Sequence, residues 1–353
     1  MERLRETILR AGGKPVHADR AVDAWMLGRP VLEAFAEPRY ALPRAAVPAL
    51  EEELAALEAL GEVLEEHPAE DGGRKLLLGL EDGARIETVL LPRDGLCVST
   101  QVGCRVGCTF CGTGTLGLTR NLSTDELLIQ VRRGRERQKV RRVVFMGMGE
   151  PAHNIEAVLE AVAILHRDGR VGREQLVFST VGHPRVFERL QACTPPPALA
   201  LSLHTLDREQ RRALLPRAPD VEPAELLEAA VAYSTRNRHP LQVQWTLIEG
   251  VTDGLEEARQ LARLLQGTRT VVNFIPVNPV AGLPGSRPNR ERIHQVVACV
   301  QDGGVLAKVR WSAAQDATGG CGQLVAGHQD GQPEGAPPLS GPDEAGLEIS
   351  VFP

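Results

Sequence analysis

Cys104-Arg105-Val106-Gly107-Cys108-Thr109-Phe110-Cys111 organises the reading of the whole chain. Three thiolates in a CxxxCxxC spacing can hold three irons of a cubane 4Fe–4S cluster, leaving the fourth iron open to a bound molecule. Electron-transfer clusters normally use four protein ligands. A three-cysteine set therefore points to iron–sulfur chemistry performed on a substrate, and the aromatic Phe110 before the last cysteine fits the pattern. The alternatives are a zinc site or buried cysteines. Zinc sites are usually built from two cysteine pairs that close a tetrahedron, and no second pair lies nearby.

The spacing resembles the signature of the radical S-adenosylmethionine (SAM) superfamily, in which the open iron chelates the amino and carboxylate groups of the methionine moiety. The sequence around it has the rhythm such a site needs. From about residue 96, strand-like runs at 96–99, 142–146, 175–179, 198–203, 241–247, 270–275 and 306–310 alternate with helical patterns. Alternation of this kind predicts a parallel sheet, and six or seven units suggest an open or closed α/β barrel, with sites at the C-terminal strand ends. With the resemblance, the expected fold is α/β, a partial (β/α)6-type radical SAM barrel over 96–326. Ser123, with Glu126 three residues on, is a capping box that opens one of its helices.

Residues 1 to about 70 read as helical. Ala-, Leu- and Glu-rich stretches such as 47–66 carry apolar residues at helical spacing, and Pro30, Pro38, Pro43 and Pro48 punctuate them. The domain division is a small N-terminal helical domain over 1–72 and a β-hairpin connector over 73–95. In that connector the runs 75–80 and 85–91 flank Glu81-Asp82-Gly83, a hairpin signal. The tail, 327–353, is Gly-, Pro- and acid-rich, a composition expected to be disordered.

The chain has 353 residues, enough for a large core; with 3% aromatics that core must be mostly aliphatic. No apolar run approaches the roughly 20 residues of a membrane span, and the charged start Met1-Glu2-Arg3-Leu4-Arg5-Glu6 is unlike a secretory leader. Seven cysteines and an oxygen-sensitive cluster fit a reducing cytoplasm. The net charge of −6 argues against nucleic acid only superficially. Asp330, Glu334, Asp343, Glu344 and Glu348 lie in the tail with no Lys or Arg, which leaves −1 for residues 1–326. Within that body Arg132, Arg133, Arg135, Arg137, Lys139, Arg141 and Arg142 form a basic run interrupted by Glu136. It reads either as a phosphate-neutralising surface or as a solvated face near a helix C-terminus.

Other motifs fall at strand ends. Met146-Gly147-Met148-Gly149-Glu150-Pro151 offers glycines for close backbone approach and a carboxylate for an ammonium group. Ser179 and Ser202-Leu203-His204 bring polar groups to the mouth, where a ribose and carboxylate need them. Asn278, in Ile275-Pro276-Val277-Asn278-Pro279, can both donate and accept and so suits an adenine or ribose edge. Two further cysteines stand out. Cys97 lies just before the cluster loop, and Cys321 sits in Gly319-Gly320-Cys321-Gly322-Gln323-Leu324, where flanking glycines favour an accessible thiol. Cys193 and Cys299 sit in apolar helical contexts and read as buried bystanders.

Together the Cys97–Cys104 run, Arg120-Asn121-Leu122, Gly147-Met148-Gly149-Glu150-Pro151, Leu201-Ser202-Leu203-His204, Asn278 and Cys321-Gly322-Gln323-Leu324 resemble the RlmN/Cfr family of radical SAM RNA methyltransferases over residues 74–326. Val181 and Gln244-Trp245-Thr246 depart from its usual pattern. The resemblance implies one 4Fe–4S cluster on Cys104, Cys108 and Cys111, and SAM held by Gly149, Glu150, Ser179, Ser202, Leu203, His204 and Asn278. Two SAM are used per turnover. The first methylates Cys321. The second is cleaved to a 5′-deoxyadenosyl radical, which abstracts hydrogen from that S-methyl group, and the methylene radical adds to an adenine carbon. Cys97 then frees the product by forming a disulfide with Cys321, and Glu87 matches the family's proton acceptor. The implied function is methylation at C2 of an adenosine in 23S rRNA, with tRNA a second target, by a cytoplasmic monomer that takes electrons from a donor such as flavodoxin and has no membrane partner. The alternatives are methylation at adenine C8, or radical chemistry on a small molecule or peptide, which would not need both Cys97 and Cys321.

Overall fold

The computed structural model describes residues 1–325, and the acidic tail read from residue 327 lies outside them. The chain opens with α1 (Glu2–Arg10), α2 (Pro15–Met26) and α3 (Ala46–Ala59). Leu4 and Ile8 of α1, one turn apart, are buried. Pro15 starts α2, where its fixed φ suits the first turn. Ala18, Ala21, Val22 and Trp25 then line one face of α2 against the core.

The helical reading of 47–66 fails at its end. Helix α3 stops at Ala59, and Glu62–Pro68 is a strand, β1, of alternating burial. Glutamates at 62, 65 and 66 favour helix on propensity, but pairing with β2 (Arg74–Gly79) overrides it, with a bulge between Val63 and Glu65. Gly61 makes the break; a Cβ there would lie 2.9 Å from the side chain of Ile129. Strand β2 turns through Gly83, at φ +83°, into β3 (Arg85–Leu91), as the Asp-Gly signal predicts.

Next come β4 (Gly95–Cys97), β5 (Gln101–Gly103), the single-turn α4 (Gly112–Thr115), β6 (Leu118–Asn121) and α5 (Thr124–Arg135). The βα alternation continues as β7 (Arg142–Phe145), α6 (Ile155–Arg167), β8 (Leu176–Thr180), α7 (Pro184–Ala192) and β9 (Ala198–Ser202). It runs on through α8 (Arg208–Leu214), α9 (Pro223–Asn237), β10 (Leu241–Leu247), α10 (Leu255–Leu265), β11 (Thr270–Pro276), α11 (Arg290–Asp302) and β12 (Leu306–Val309). One ten-stranded sheet has the order β1-β2-β3-β4-β7-β8-β9-β10-β11-β12. The first three pairings are antiparallel and the rest, from β4 to β12, parallel. The short pair β5–β6 forms a separate sheet beside the cysteine loop, too brief to read from the sequence.

The parallel part is an open barrel, since β4 and β12 do not pair. Residues 312–325 cross back as a strap from β12 toward β2 and β3. Asp71 accepts from the Ala314 amide (3.0 Å), Lys75 donates to Thr318 Oγ1 (2.7 Å), and Glu87 accepts from the Val325 amide (2.6 Å).

Three arginines of the basic run, Arg132, Arg133 and Arg135, fit neither reading offered by the sequence, while Lys139 and Arg141 stay exposed. Arg132 donates to the carbonyl of Trp25 (2.8 Å), and Arg133 to those of Gly61 (2.8 Å) and Glu58 (3.0 Å). Arg135 donates to those of Met26 and Gly169, and burial pushes its pKa down to about 10. These arginines clasp carbonyls at the C-terminal ends of α2, α3 and α6, where cations suit the helix dipole, and so fix the N-terminal helices to α5. Replacing Arg133 by Ala should destabilise the protein by about 2–3 kcal/mol, as hydrogen bonds from a charged donor are lost. Denaturant melts measure that loss. The salt dependence of any RNA binding should stay unchanged, because these charges face carbonyls rather than solvent.

Candidate active site

The cysteine loop hangs between β5 and β6. The Cys104 amide donates to the Gly117 carbonyl (2.7 Å), and Gly103, at φ +80°, admits that carbonyl to within 1.9 Å of where a Cβ would stand. The Cys111 amide donates to the Cys108 carbonyl (3.1 Å), which tightens the second half of the loop. Burial, reinforced by the neighbouring thiols and by Glu150, pushes Cys104 up to about 12 and Cys108 well above its ordinary value; Cys111 is raised as well. Unliganded, these thiols hold their protons. A cationic metal group would replace those protons and relieve the burial of thiolate charge. Among the described residues, no three Cys, His, Asp or Glu side chains gather closely enough to share a single metal ion. The separate iron corners of a cubane suit three thiols held apart.

A cavity of about 160 Å3 opens in front of this loop, lined by Gly149, Glu150, Ser179, Ser202, His204, Asn278 and Cys321 among others. The Gly-Met-Gly run lies flush on the segment after β4. A Cβ on Gly147 would meet Ser99 Oγ at 2.6 Å, and one on Gly149, at φ +100°, would meet the Gln101 side chain at 2.6 Å. Glu150 turns its carboxylate into the scaffold, where it accepts from the amides of Ala152 and Val181 (3.0 Å each). Burial raises its pKa, against the pull of those bonds and of Thr180. Leu203 is not on the cavity wall; it is fully buried behind it, and its amide donates to the Gln244 carbonyl (3.1 Å).

His204 adopts a left-handed backbone, φ +66°, strained for a non-glycine residue. Its Nδ1 accepts from the Thr246 amide (3.0 Å), so the neutral ring carries its proton on Nε2, and Phe110 packs against it at 5.1 Å. Burial pushes its pKa down to about 3. A folded-state value below the ordinary 6.5 withholds a proton that the unfolded chain takes up. Stability should therefore fall as pH drops from about 6.5 toward 3, and equilibrium unfolding should show a shallower acid slope in His204→Gln.

The two outlying thiols converge on this site. Cys321 lines the cavity, and its strap touches the cluster loop: the Gly112 amide donates to the Gly322 carbonyl (2.7 Å) and Thr113 Oγ1 to the Leu324 carbonyl (2.7 Å). Asn278 donates from Nδ2 to Ser312 Oγ and to the Cys321 carbonyl, both 2.9 Å, so its amide group holds the strap. Cys97 is buried at the end of β4. Desolvation, with the charge of nearby Cys321, pushes it up to about 12, while Arg310 pulls the other way. All seven cysteines are free thiols, so the Cys97–Cys321 disulfide implied by the resemblance is not formed here. Cys193 and Cys299 are partly rather than fully buried. Glu87, on β3, pairs with Lys75 (3.0 Å) beneath the strap and is not among the cavity-lining residues.

Residues 98–265 match the radical SAM superfamily. A protein of Thiobacillus denitrificans named as a probable RNA methyltransferase is 50% identical over 333 residues, covering 94% of this chain and 91% of that one. A Pseudomonas aeruginosa protein, likewise named a probable RNA methyltransferase, is 50% identical over 94% of this chain and 96% of its own length. The solved radical SAM methyltransferase of Sphaerobacter thermophilus superposes with a TM-score of 0.78 at 34% identity, covering 92% of this chain and 97% of that one. The chain belongs to the radical SAM methyltransferases. As in that superfamily, a 4Fe–4S cluster and SAM are its implied cofactors.

Among the cavity-wall residues to which sequence reasoning about this methyltransferase gives no role are Arg310 and Gln244. Arg310, just beyond β12, donates to Gln244 Oε1 (3.3 Å). Its position at a C-terminal strand end is the available signal. A larger cleft, about 630 Å3, lies between the N-terminal helices and the end of α6. There Arg5 pairs with Asp19 and Asp168, and Arg170 with Asp23, so its charges are largely matched.

Proposed function

We propose that this chain methylates a ring carbon of adenine in RNA, C2 in the first instance, as a cytoplasmic monomer of the RlmN/Cfr type. The observation that carries the reading is the meeting of Cys321 and the three-cysteine loop at one cavity, with Cys321 brought there by the closing strap and Cys97 buried near enough to feel its charge. The names of the curated relatives support RNA as the substrate class. Cys104, Cys108 and Cys111 would hold the 4Fe–4S cluster, and Gly149, Glu150, Ser179, Ser202, Leu203, His204 and Asn278 would surround SAM. With an electron from a donor such as flavodoxin, the cluster and SAM supply a carbon radical able to take hydrogen from an S-methyl group.

The chain's own part is thiol chemistry. Cys321 accepts the methyl group of a first SAM and presents its carbon to the base, which stays joined to Cys321 by a thioether. Cys97, as a thiolate, attacks the Cys321 sulfur; an S–S bond forms as the bond from sulfur to the base's new carbon breaks, and that carbon keeps the bonding pair and takes up a proton to become the methyl group. Glu87, which matches the family's proton acceptor, would take the proton that the ring carbon loses. An adenine C2 is a poor nucleophile, so the radical route avoids the limit on polar methyl transfer.

Nucleoside mass spectrometry of 23S rRNA and tRNA from cells with and without this chain tests the reading. A 2-methyladenosine that depends on the chain is expected. No methylated adenosine lost on deletion in either RNA would overturn it.

A further inference from the structure

Of the three tryptophans, Trp25 and Trp245 are 0% and 1% exposed, whereas Trp311 is 49% exposed. It directly follows Arg310, a cavity-wall residue, and precedes Ser312, which Asn278 holds. The guanidinium carbon of Arg287 lies 5.2 Å from its ring centroid. That guanidinium is itself fixed. It donates to the Val277 carbonyl (3.3 Å), to Asn278 Oδ1 (3.2 Å) and to Gln315 Oε1 (3.1 Å). Trp311 is thus a half-open aromatic plate on a cationic backing, and that backing shares Asn278 with the Cys321 carbonyl.

We propose that Trp311 is a stacking platform for an unpaired nucleobase beside the target base in a single-stranded RNA segment. This rests on the reading that the chain methylates RNA. A base that enters the cavity must leave its own stack, and the neighbour it abandons then exposes a π face. Single-stranded RNA is gripped by aromatic faces and arginine planes of this kind, and stacking tolerates any base. An Arg beneath the indole holds the plate in place and adds positive charge next to a phosphate chain. The phenylalanines that line the cavity offer no comparable exposed face, since Phe145 is buried and Phe110 packs against His204.

The test uses the full chain reconstituted anaerobically, with a stem–loop oligoribonucleotide whose loop carries adenosines, and a blunt duplex as control. Since the other tryptophans are buried, loop binding should quench the solvent-exposed part of the tryptophan fluorescence, and Trp311→Phe should lack that quench. Trp311→Ala should bind the stem–loop about 10- to 100-fold more weakly by anisotropy, in line with the loss of one stacked base. Trp311→Phe, still aromatic, should remain within a few-fold of the parent. Both variants should keep the parent's visible cluster absorption, which separates lost stacking from lost folding. Should Trp311→Ala misfold, the fluorescence comparison with Trp311→Phe still decides. Tight stem–loop binding with an unquenched Trp311, or parental affinity in Trp311→Ala, would overturn the platform, free the indole for a protein partner and leave the RNA reading standing. Failure of the parent to bind any RNA would overturn both.

Discussion

Alanine at Cys104, Cys108 and Cys111 together should abolish iron and sulfide binding, the broad visible absorption and all methylation, while the protein still folds. Burial raises the pKa of all three thiols, and the thiols raise one another's further. Neutral and protonated without a cluster, they supply no ion pair or strand contact that alanine would remove. The loop is held instead by main-chain bonds at Cys104, Cys111 and Thr109 that alanine keeps. Each single substitution should also eliminate activity, because a cubane held by two thiols exposes a second iron. Iron and sulfide analysis after anaerobic reconstitution measures the outcome, and stoichiometric iron in the triple variant would sink the assignment.

The second large effect separates two thiols that share one chemistry. Cys97→Ala should accumulate a covalent protein–RNA adduct through Cys321, whereas Cys321→Ala should form neither methylcysteine nor adduct. Cys321 lines the cavity, while Cys97 lies buried, close enough for the charge of Cys321 to raise the cost of a Cys97 thiolate. The sign of the pH dependence follows. Burial alone holds the Cys97 thiol above its ordinary 9.0 even when Cys321 is a neutral thioether in the adduct, so the thiolate needed for attack is scarce at neutral pH and grows about tenfold with each added unit. Release of the adduct should therefore quicken with rising pH while adduct formation does not. Arg310, whose charge favours the thiolate, should matter at the same step, and Arg310→Gln should slow release further. Peptide mass spectrometry of denatured protein follows both species; full turnover by Cys97→Ala would refute the two-thiol scheme.

Much of this arrangement is legible in the amino-acid sequence. Strands β10 and β11 begin where the apolar runs begin, and β7, β8 and β9 end within a residue or two of the polar motifs, because a buried parallel strand is written as a short apolar run. Strand β1 is not legible, since its glutamates favour helix and only its pairing with β2 makes it a strand. The arginine clasp is equally hidden, since its acceptors are main-chain carbonyls, which carry no residue-type signal. The sequence casts Asn278 as facing a ligand; it lines the cavity, but its side chain also bonds Arg287 and, in a strap more than thirty residues later in the chain, Ser312 and the Cys321 carbonyl, ties that no local pattern announces.

That strap has a kinetic meaning. Its ties to Glu70, Asp71, Lys75, Glu87 and Thr113 join residues 211 to 246 positions apart. Contacts so distant in sequence must meet their loop-closure entropy before they return any stability. Of residues 312–325, only Ala314 and Leu324 add buried apolar side chains. The strap should thus be the last part of the barrel to form and the first to open, a separate cooperative unit of low stability on an already folded sheet. Amides of Ala314, Gly319 and Val325 should exchange with deuterium well before those of β8 to β10. Cys321, the thiol proposed to carry the methyl group, would then swing away from the cavity without any strand of the barrel coming apart.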